Sequence, residues 1–277
     1  MDVSLKSPAP KGMSAVLKAV VAAVKLVAAE EIMPRYQKVT RQHKSDGSLC
    51  TEADTAAQTA LIKKLQAIVN VPVLGEEMPD AEQRAIWDAG YDGLWCIDPL
   101  DGTSNFVRGV PYFAVSVALL REHKSVIGVV YNPVSDELFA AEAGKGAFLN
   151  GDKLICRESA SSLAESLASV DLKRLSPALL KKFASKPPYA SQRNFGASAL
   201  DWCYTATGRY DVYLHGGQKL WDYAAGVLIA EETGSHACCI NHDDFAQGDV
   251  WQRSVVAARD ANVFAEWKNW IRDLEPS

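Results

Sequence analysis

Two carboxylates three residues apart close an apolar run in Trp95-Cys96-Ile97-Asp98-Pro99-Leu100-Asp101-Gly102-Thr103-Ser104-Asn105-Phe106. Gly93 to Ile97 has the composition of a buried strand. Pro99 has a fixed φ and no N–H, which predicts that the strand stops there. Asp101-Gly102-Thr103 then reads as a helix start with Asp101 at a capping position. Asp98 and Asp101 can turn toward one point, with the Leu100 carbonyl exposed between them. Gly102 lets the backbone come close to a ligand. The N–H groups of Gly102, Thr103 and Ser104 at such a helix start suit a phosphate. Hard oxygen ligands beside an anion cradle are the equipment of metal-assisted phosphoryl chemistry. An isolated D-x-x-D is more often only a capped turn, so other parts of the chain must supply the rest of a site.

The first further carboxylate is Glu76, which follows the short apolar strand Val71 to Leu74 as Asp98 follows its own. Two neighbouring strands ending together would bring both to one sheet edge; a solvated acidic turn is the ordinary alternative. The second is Asp222 in Leu220-Trp221-Asp222-Tyr223-Ala224-Ala225-Gly226, at the start of an apolar helix, where an N-cap is the ordinary role. Lys44, Thr51 and Asp54 form a third group, on a polar loop that leads into a helix capped by Thr51.

The elements that must position these residues are mixed. Ser14 to Ile32 reads as a helix stopped by Pro34, Ala53 to Val69 as a second, and Ala81 to Trp87 as a short third. Ala114 to Leu120, Ser125 to Tyr131 and Glu137 to Ala141 are strand-like runs separated by turn signals, which predicts an antiparallel meander. Beyond them, strands are expected at Ala164–Val170, Asp211–Leu214 and Val255–Ala258. Helices are expected at Pro177–Ala184, Ala199–Thr207, Asp222–Glu232 and Ala261–Leu274. No long βαβ repeat is evident, which argues against a Rossmann-type sheet. The class is α+β, two sheets with layers of helix.

The 277 residues, 48% apolar, are enough for a substantial core. A net charge of −5 with no basic block offers nothing to nucleic acid. Local positive charge for a phosphate ester would have to come from elsewhere, and metal ions could supply it. The six cysteines form no C-x-x-C pair and read as reduced thiols of a cytoplasmic protein. Lys18 and Lys25 interrupt the apolar stretch Met13 to Ala29, so neither a signal peptide nor a membrane span is expected there.

The central string resembles the W-x-I-D-P-L-D-G-T signature of the inositol monophosphatase family of magnesium-dependent phosphatases. The resemblance extends in order through Gly75-Glu76-Glu77, Leu220 to Gly226 and Lys44 to Asp54, where Cys50 stands in place of the family's usual Val. It implies a layered αβαβα sandwich, one phosphatase domain over 1–277 with halves of about 12–157 and 158–277. It also implies two or three Mg²⁺ per site: Glu76, Asp98 and the Leu100 carbonyl on one ion, and Asp98, Asp101 and Asp222 on a second. By the same match Asp54 holds Thr103 and, with Glu76, helps orient the attacking water, and Lys44 lies on a loop near the third metal position. Lithium sensitivity and a homodimer are further implications.

For substrate, Gly196-Ala197-Ser198-Ala199 matches the family's substrate-facing G-x-x-A segment. The departure is His215, in Tyr213-Leu214-His215-Gly216-Gly217, where many inositol phosphatases carry a Glu that binds substrate hydroxyls. A histidine could still bind a polyol. The expected substrate is a small polyol or sugar phosphate, inositol 1-phosphate above others. Sister phosphatases acting on fructose 1,6-bisphosphate, histidinol phosphate or 3′(2′),5′-bisphosphate nucleotides share the metal motifs. A non-catalytic member that binds protein or RNA is the alternative of another class.

Overall fold

The computed structural model describes residues 12–38, 42–43 and 49–273; Lys44 lies outside them. Ser14 caps α1 (Ala15–Val27), its Oγ accepting the Leu17 N–H at 3.1 Å. The coil continues as a π turn over Ala28–Ile32 and a 3₁₀ turn over Met33–Arg35. Pro34 therefore sits within the last turn, where its missing N–H is tolerated. After β1 (Gln42–His43) and β2 (Leu49–Cys50), Thr51 caps α2 (Glu52–Ile68). Its hydroxyl accepts the Ala53 N–H at 3.1 Å, and Asp54 reaches back to the Thr51 N–H at 2.8 Å. This is a capping box with Asp in the acidic position.

A seven-stranded sheet follows in sequence order: β3 (Val73–Gly75), β4 (Leu94–Asp101), β5 (Ala114–Arg121), β6 (Lys124–Asn132), β7 (Glu137–Glu142), β8 (Gly146–Leu149) and β9 (Asp152–Lys153). Helix α3 (Asp80–Ala89) joins β3 to β4, which run parallel, and α4 (Thr103–Arg108) joins β4 to β5. From β4 onward the strands are antiparallel, which is the expected meander.

The second sheet is built from β10 (Leu167–Asp171), β11 (Ser191–Arg193), β12 (Val212–Gln218), β13 (His236–Cys238) and β14 (Arg253–Ala258), in the order β11-β10-β12-β14-β13. Helices α5 (Pro177–Ser185), α6 (Ser198–Ala206), α7 (Leu220–Glu231) and α8 (Ala261–Arg272) intervene. β10 is parallel to both β11 and β12. Short parallel crossovers thus exist, which the expectation of no long βαβ repeat left open. β11 has only three residues, two of them exposed, and carries no apolar pattern to announce it. β12 is also longer than expected, running through His215-Gly216-Gly217 with an irregularity before Gln218.

Strand alternation sorts the side chains into layers. Trp95 and Ile97 of β4 pack with Leu17 and Val24 of α1 and Leu61 and Leu65 of α2. Leu94 and Cys96 face the other way, into a core shared with Trp202 of α6 and Leu228 of α7. Tyr213, Val255 and Ala257 close that core from the second sheet. Val212, Leu214, Val256 and Ala258 on its far face meet Leu179 and Phe183 of α5 and Val263 and Trp267 of α8. The order of layers is helix, sheet, helix, sheet, helix: the αβαβα sandwich. Gly128 sets how closely α7 lies on β6, because a Cβ there would fall 2.7 Å from the Ala225 carbonyl oxygen. Among the described residues no helix is long and apolar enough to cross a membrane.

Candidate active site

The parallel pairing of β3 with β4 sets Gly75 beside Ile97, and the Glu76 N–H donates to the Ile97 carbonyl at 3.2 Å. Glu76 and Asp98 are therefore the next residues at the same sheet edge. β4 does not stop at Pro99, as the sequence suggested, but continues to Asp101. Asp98 pairs with Ser116 and Asp101 with Ala114, so β4 advances three residues while β5 advances two. The extra residue is a bulge, a place where proline's missing N–H breaks no ladder bond. In an unbroken strand Asp98 and Asp101 would face opposite sides; the bulge turns them to the same side. Asp101 is consequently a strand residue and not the cap of α4. That position belongs to Gly102, whose φ of 89° is left-handed.

Each aspartate is aimed by a backbone N–H. Asp98 Oδ1 accepts from Leu100 at 2.9 Å, Asp101 Oδ2 from Ala199 at 2.7 Å, and Asp222 Oδ2 from Lys219 at 2.9 Å. The Ala199 bond ties the first turn of α6 to the first sheet, with the positive end of the helix on a carboxylate. Asp222 is the third residue of α7, one turn inside the cap position the sequence offered. Burial pushes the Asp98 carboxyl well above the usual range, and the charges of Glu76, Asp101 and Asp222 push it further. Burial and then Asp222 do the same to Asp101. Asp222 is raised to about 7, by burial and then by Glu76. The four carboxylates thus feel one another through a poorly solvated space.

Among the described residues no Lys, Arg or His lies within ion-pair distance of Asp98, Asp101 or Asp222. No three His, Cys, Asp or Glu side chains among them close a metal cage as they stand. The fit to a cation rests instead on donor chemistry. These are all-oxygen donors that repel one another, Asp98 and Asp101 buried and Glu76 and Asp222 half-buried. That is the environment a hard divalent ion neutralises.

The hydroxyl of Thr103 lies 3.1 Å from Asp54 Oδ1 and 3.1 Å from the Leu100 carbonyl oxygen. Asp54 is fully buried, its Oδ2 held by the Thr51 N–H and hydroxyl. Burial raises it to about 6 against those bonds. Gly102 abuts the second half of the chain: a Cβ there would come within 3.2 Å of Ala197. Gly102 thus meets Ala197 of the Gly196-Ala197-Ser198 segment, with Ala197 buried and Ser104 and Gly196 exposed.

His215 is differently placed. It is 4% exposed, its Nδ1 accepts the Gly217 N–H at 3.1 Å, and its Nε2 faces Asp171 Oδ2 at 3.6 Å. Both ring nitrogens are directed at the protein. An acceptor role for Nδ1 places the proton of the neutral ring on Nε2. Asp171 escaped the sequence reading although it follows an apolar strand as Asp98 does, a signal that could have found it. Asp201 lies below, accepting from the Tyr112 hydroxyl at 2.9 Å and raised to about 7 by burial.

A layered sandwich with carboxylates from β3–β4 and the first turn of α7 brought to one place sets this chain among phosphatase-like folds. The chain belongs to the inositol monophosphatase family, which it matches over residues 13–271. It is 37% identical over 257 residues to inositol monophosphatase 2 of Solanum lycopersicum, covering 87% of this chain and 91% of that protein. It is 35% identical over 248 residues to Nus factor SuhB of Haemophilus influenzae, covering 86% of this chain and 88% of that protein. Among solved structures, the extragenic suppressor protein suhB of Bartonella henselae superposes with a TM-score of 0.79 at 28% identity, over 94% of this chain and 99% of that one.

Proposed function

We propose that the chain is a Mg²⁺-dependent phosphomonoesterase for a small polyol or sugar phosphate, with inositol 1-phosphate first among candidates. The observation that carries this is the convergence of Glu76, Asp98 and Asp101 at one sheet edge, within electrostatic reach of Asp222. Glu76, Asp98 and the Leu100 carbonyl would hold one ion, and Asp98, Asp101 and Asp222 a second. When bound, such ions acidify a water and neutralise charge on the leaving oxygen. The protein's own part is positioning. Glu76 and the Thr103 hydroxyl, fixed by Asp54, orient the attacking water. The Gly102–Ser104 backbone faces the phosphate oxygens, and the Gly196–Ser198 segment faces the alcohol. Two copies of the chain would form the working assembly.

A second reading, a member that works through a protein or RNA partner, is favoured by the relatives named Nus factor SuhB. Phosphate release measured on inositol 1-phosphate, fructose 1,6-bisphosphate, histidinol phosphate and adenosine 3′,5′-bisphosphate separates the two. Release that requires Mg²⁺ and vanishes with chelator supports the enzyme. No release from any, with Mg²⁺ shown to bind, overturns it.

A further inference from the structure

A second cleft, of about 860 Å³, opens on the flank of α7 at the β5–β6 hairpin end of the first sheet. Glu76, Asp98, Asp101 and Asp222 are not among the residues that line it. Its walls are aromatic and aliphatic, from Trp87, Tyr223, Val227, Leu228 and Phe245, and one side is formed by Arg253. The volume suits a small molecule rather than solvent alone.

Arg253 is what makes the cleft a site. It is 7% exposed, and no carboxylate among the described residues pairs with it. Its guanidinium sits over the rings of Tyr223, 4.8 Å away, and Phe245, 5.1 Å away. Nη2 donates to the carbonyls of Gly248 at 2.7 Å and Ala246 at 3.3 Å. Nε is fully buried against Gly248 with no hydrogen-bond partner, so a ligand in the cleft would not reach it; Nη1, which makes no hydrogen bond among the described residues and is not sealed off, is the nitrogen left for one. A buried guanidinium without a counter-charge is costly to keep and calls for an acceptor.

Acidic residues also line the cleft, but most are already engaged. Glu232 accepts the Gly144 and Gly146 N–H groups, each at 2.6 Å. Asp243 pairs with Arg272 at 2.5 Å and Lys268 at 3.2 Å. Asp244 caps the Phe245–Gln247 turn through the Ala246 N–H at 2.9 Å. Glu231 faces Glu232 and Lys124, and Glu122 stands at the exposed mouth beside His123 and Lys124. The cationic group in the cleft left without an acceptor is Arg253, through Nη1.

We propose that this cleft binds a small planar aromatic carboxylate, its ring among Trp87, Tyr223 and Phe245 and its acid group on Arg253. The site is independent of the phosphatase reading, since it shares none of those residues.

The test uses the full chain in EDTA, so that the probe cannot bind through a metal ion. Titration calorimetry would compare 2-naphthoate with 2-naphthylmethylammonium, which has the same ring and the opposite charge. The expected result is that naphthoate binds about tenfold tighter or more, as one charge-assisted contact implies. Arg253→Gln should abolish the difference. Because Arg253 also holds the Ala246 and Gly248 carbonyls, Ala237→Trp is a second variant, which fills the cleft from β13 with Arg253 intact. It should remove naphthoate binding while leaving the melting transition cooperative. Equal binding of the two probes, preference for the ammonium, no binding at about 1 mM, or unchanged binding in a folded Ala237→Trp protein would each overturn the proposal.

Discussion

Thr103 and Asp54, 49 positions apart in the chain, meet through a 3.1 Å hydrogen bond from the threonine hydroxyl to Asp54 Oδ1. One end of this contact is the first turn of α4 and the other the first turn of α2, so two helix starts define where the hydroxyl stands. The Asp54 carboxylate cannot swing away, because its second oxygen closes the capping box of α2. Thr103→Val keeps the shape and removes the hydroxyl. It is expected to lower kcat about a hundredfold with KM little changed, measured as phosphate release at saturating substrate. An unchanged kcat would remove Thr103 from the water-orienting role.

Asp54 should also leave a mark on stability. Its folded value, about 6, lies above its ordinary 3.8, mainly through burial. The folded state therefore binds the proton more tightly. The stability this contributes is full below pH 3.8 and is lost as pH rises through 6. The span is roughly 3 kcal/mol. Urea titrations of the wild type and Asp54→Asn across that window should show a stability difference that changes steadily between pH 4 and 6. A constant difference would mean that Asp54 is not desolvated in the folded protein.

His215 should act with the opposite sign. Burial lowers it from 6.5 to about 4, with Arg174 and Lys173 adding to the shift and Asp171 opposing it. Here the unfolded chain binds the proton better. The stability present above pH 6.5 is lost as pH falls toward 4, by roughly 3 kcal/mol. In His215→Gln the slope from this group disappears. Proton NMR titration of the ring gives the direct check; a midpoint near 6.5 would place the ring in water.

The repulsion among the buried carboxylates predicts an inverse relation between stability and activity. Asp98→Asn should raise the melting temperature in EDTA by a few degrees, because a charge crowded by Glu76, Asp101 and Asp222 is removed. The same change should cut phosphate release at least about a hundredfold with Mg²⁺ present. Added Mg²⁺ should stabilise the wild type and leave the variant nearly unmoved. Calorimetry with and without metal reads both effects, and a variant that melts lower in EDTA would contradict the crowding.

Gly128→Ala tests the packing that carries Asp222. The new methyl would meet the backbone of Ala225, at 2.7 Å from its oxygen and 3.1 Å from its Cα, and neither atom can rotate aside. A loss of about 1–3 kcal/mol is expected in denaturant titration. A neutral result would show that α7 can lift from β6.

Much of this arrangement was legible in the sequence for a local reason. Glu76 and Asp98 each follow an apolar run, and the parallel register of β3 with β4 sets the two side by side although β4 runs on to Asp101, so their meeting needed only that pairing. The capping of α2 by Thr51 was equally local. Pro99 was read as a terminator because proline usually is one; its place in a bulge depends on β5, which lies beyond the reach of the local pattern. The sequence marked His215 as a candidate substrate contact, but not that the Gly217 N–H takes Nδ1, since that bond arises inside the irregularity of β12. The tie from Ala199 to Asp101 spans 98 positions and leaves no trace in composition.

The bulge in β4 separates two kinds of information carried by one strand. Hydrogen-bonded pairing needs only that the backbone reach from Leu94 to Asp101 beside β5. The proposed site uses Leu100 between the two aspartates, for its carbonyl and for the offset it gives Asp101. Deleting Leu100 would give an even step and remove the bulge, leaving Pro99 in a regular strand. The sheet could still form, having lost one proposed ligand and moved another. Folding assays would not detect that loss, and only a measurement at the site would. In this strand the irregular residue acts through its count as much as through its side chain.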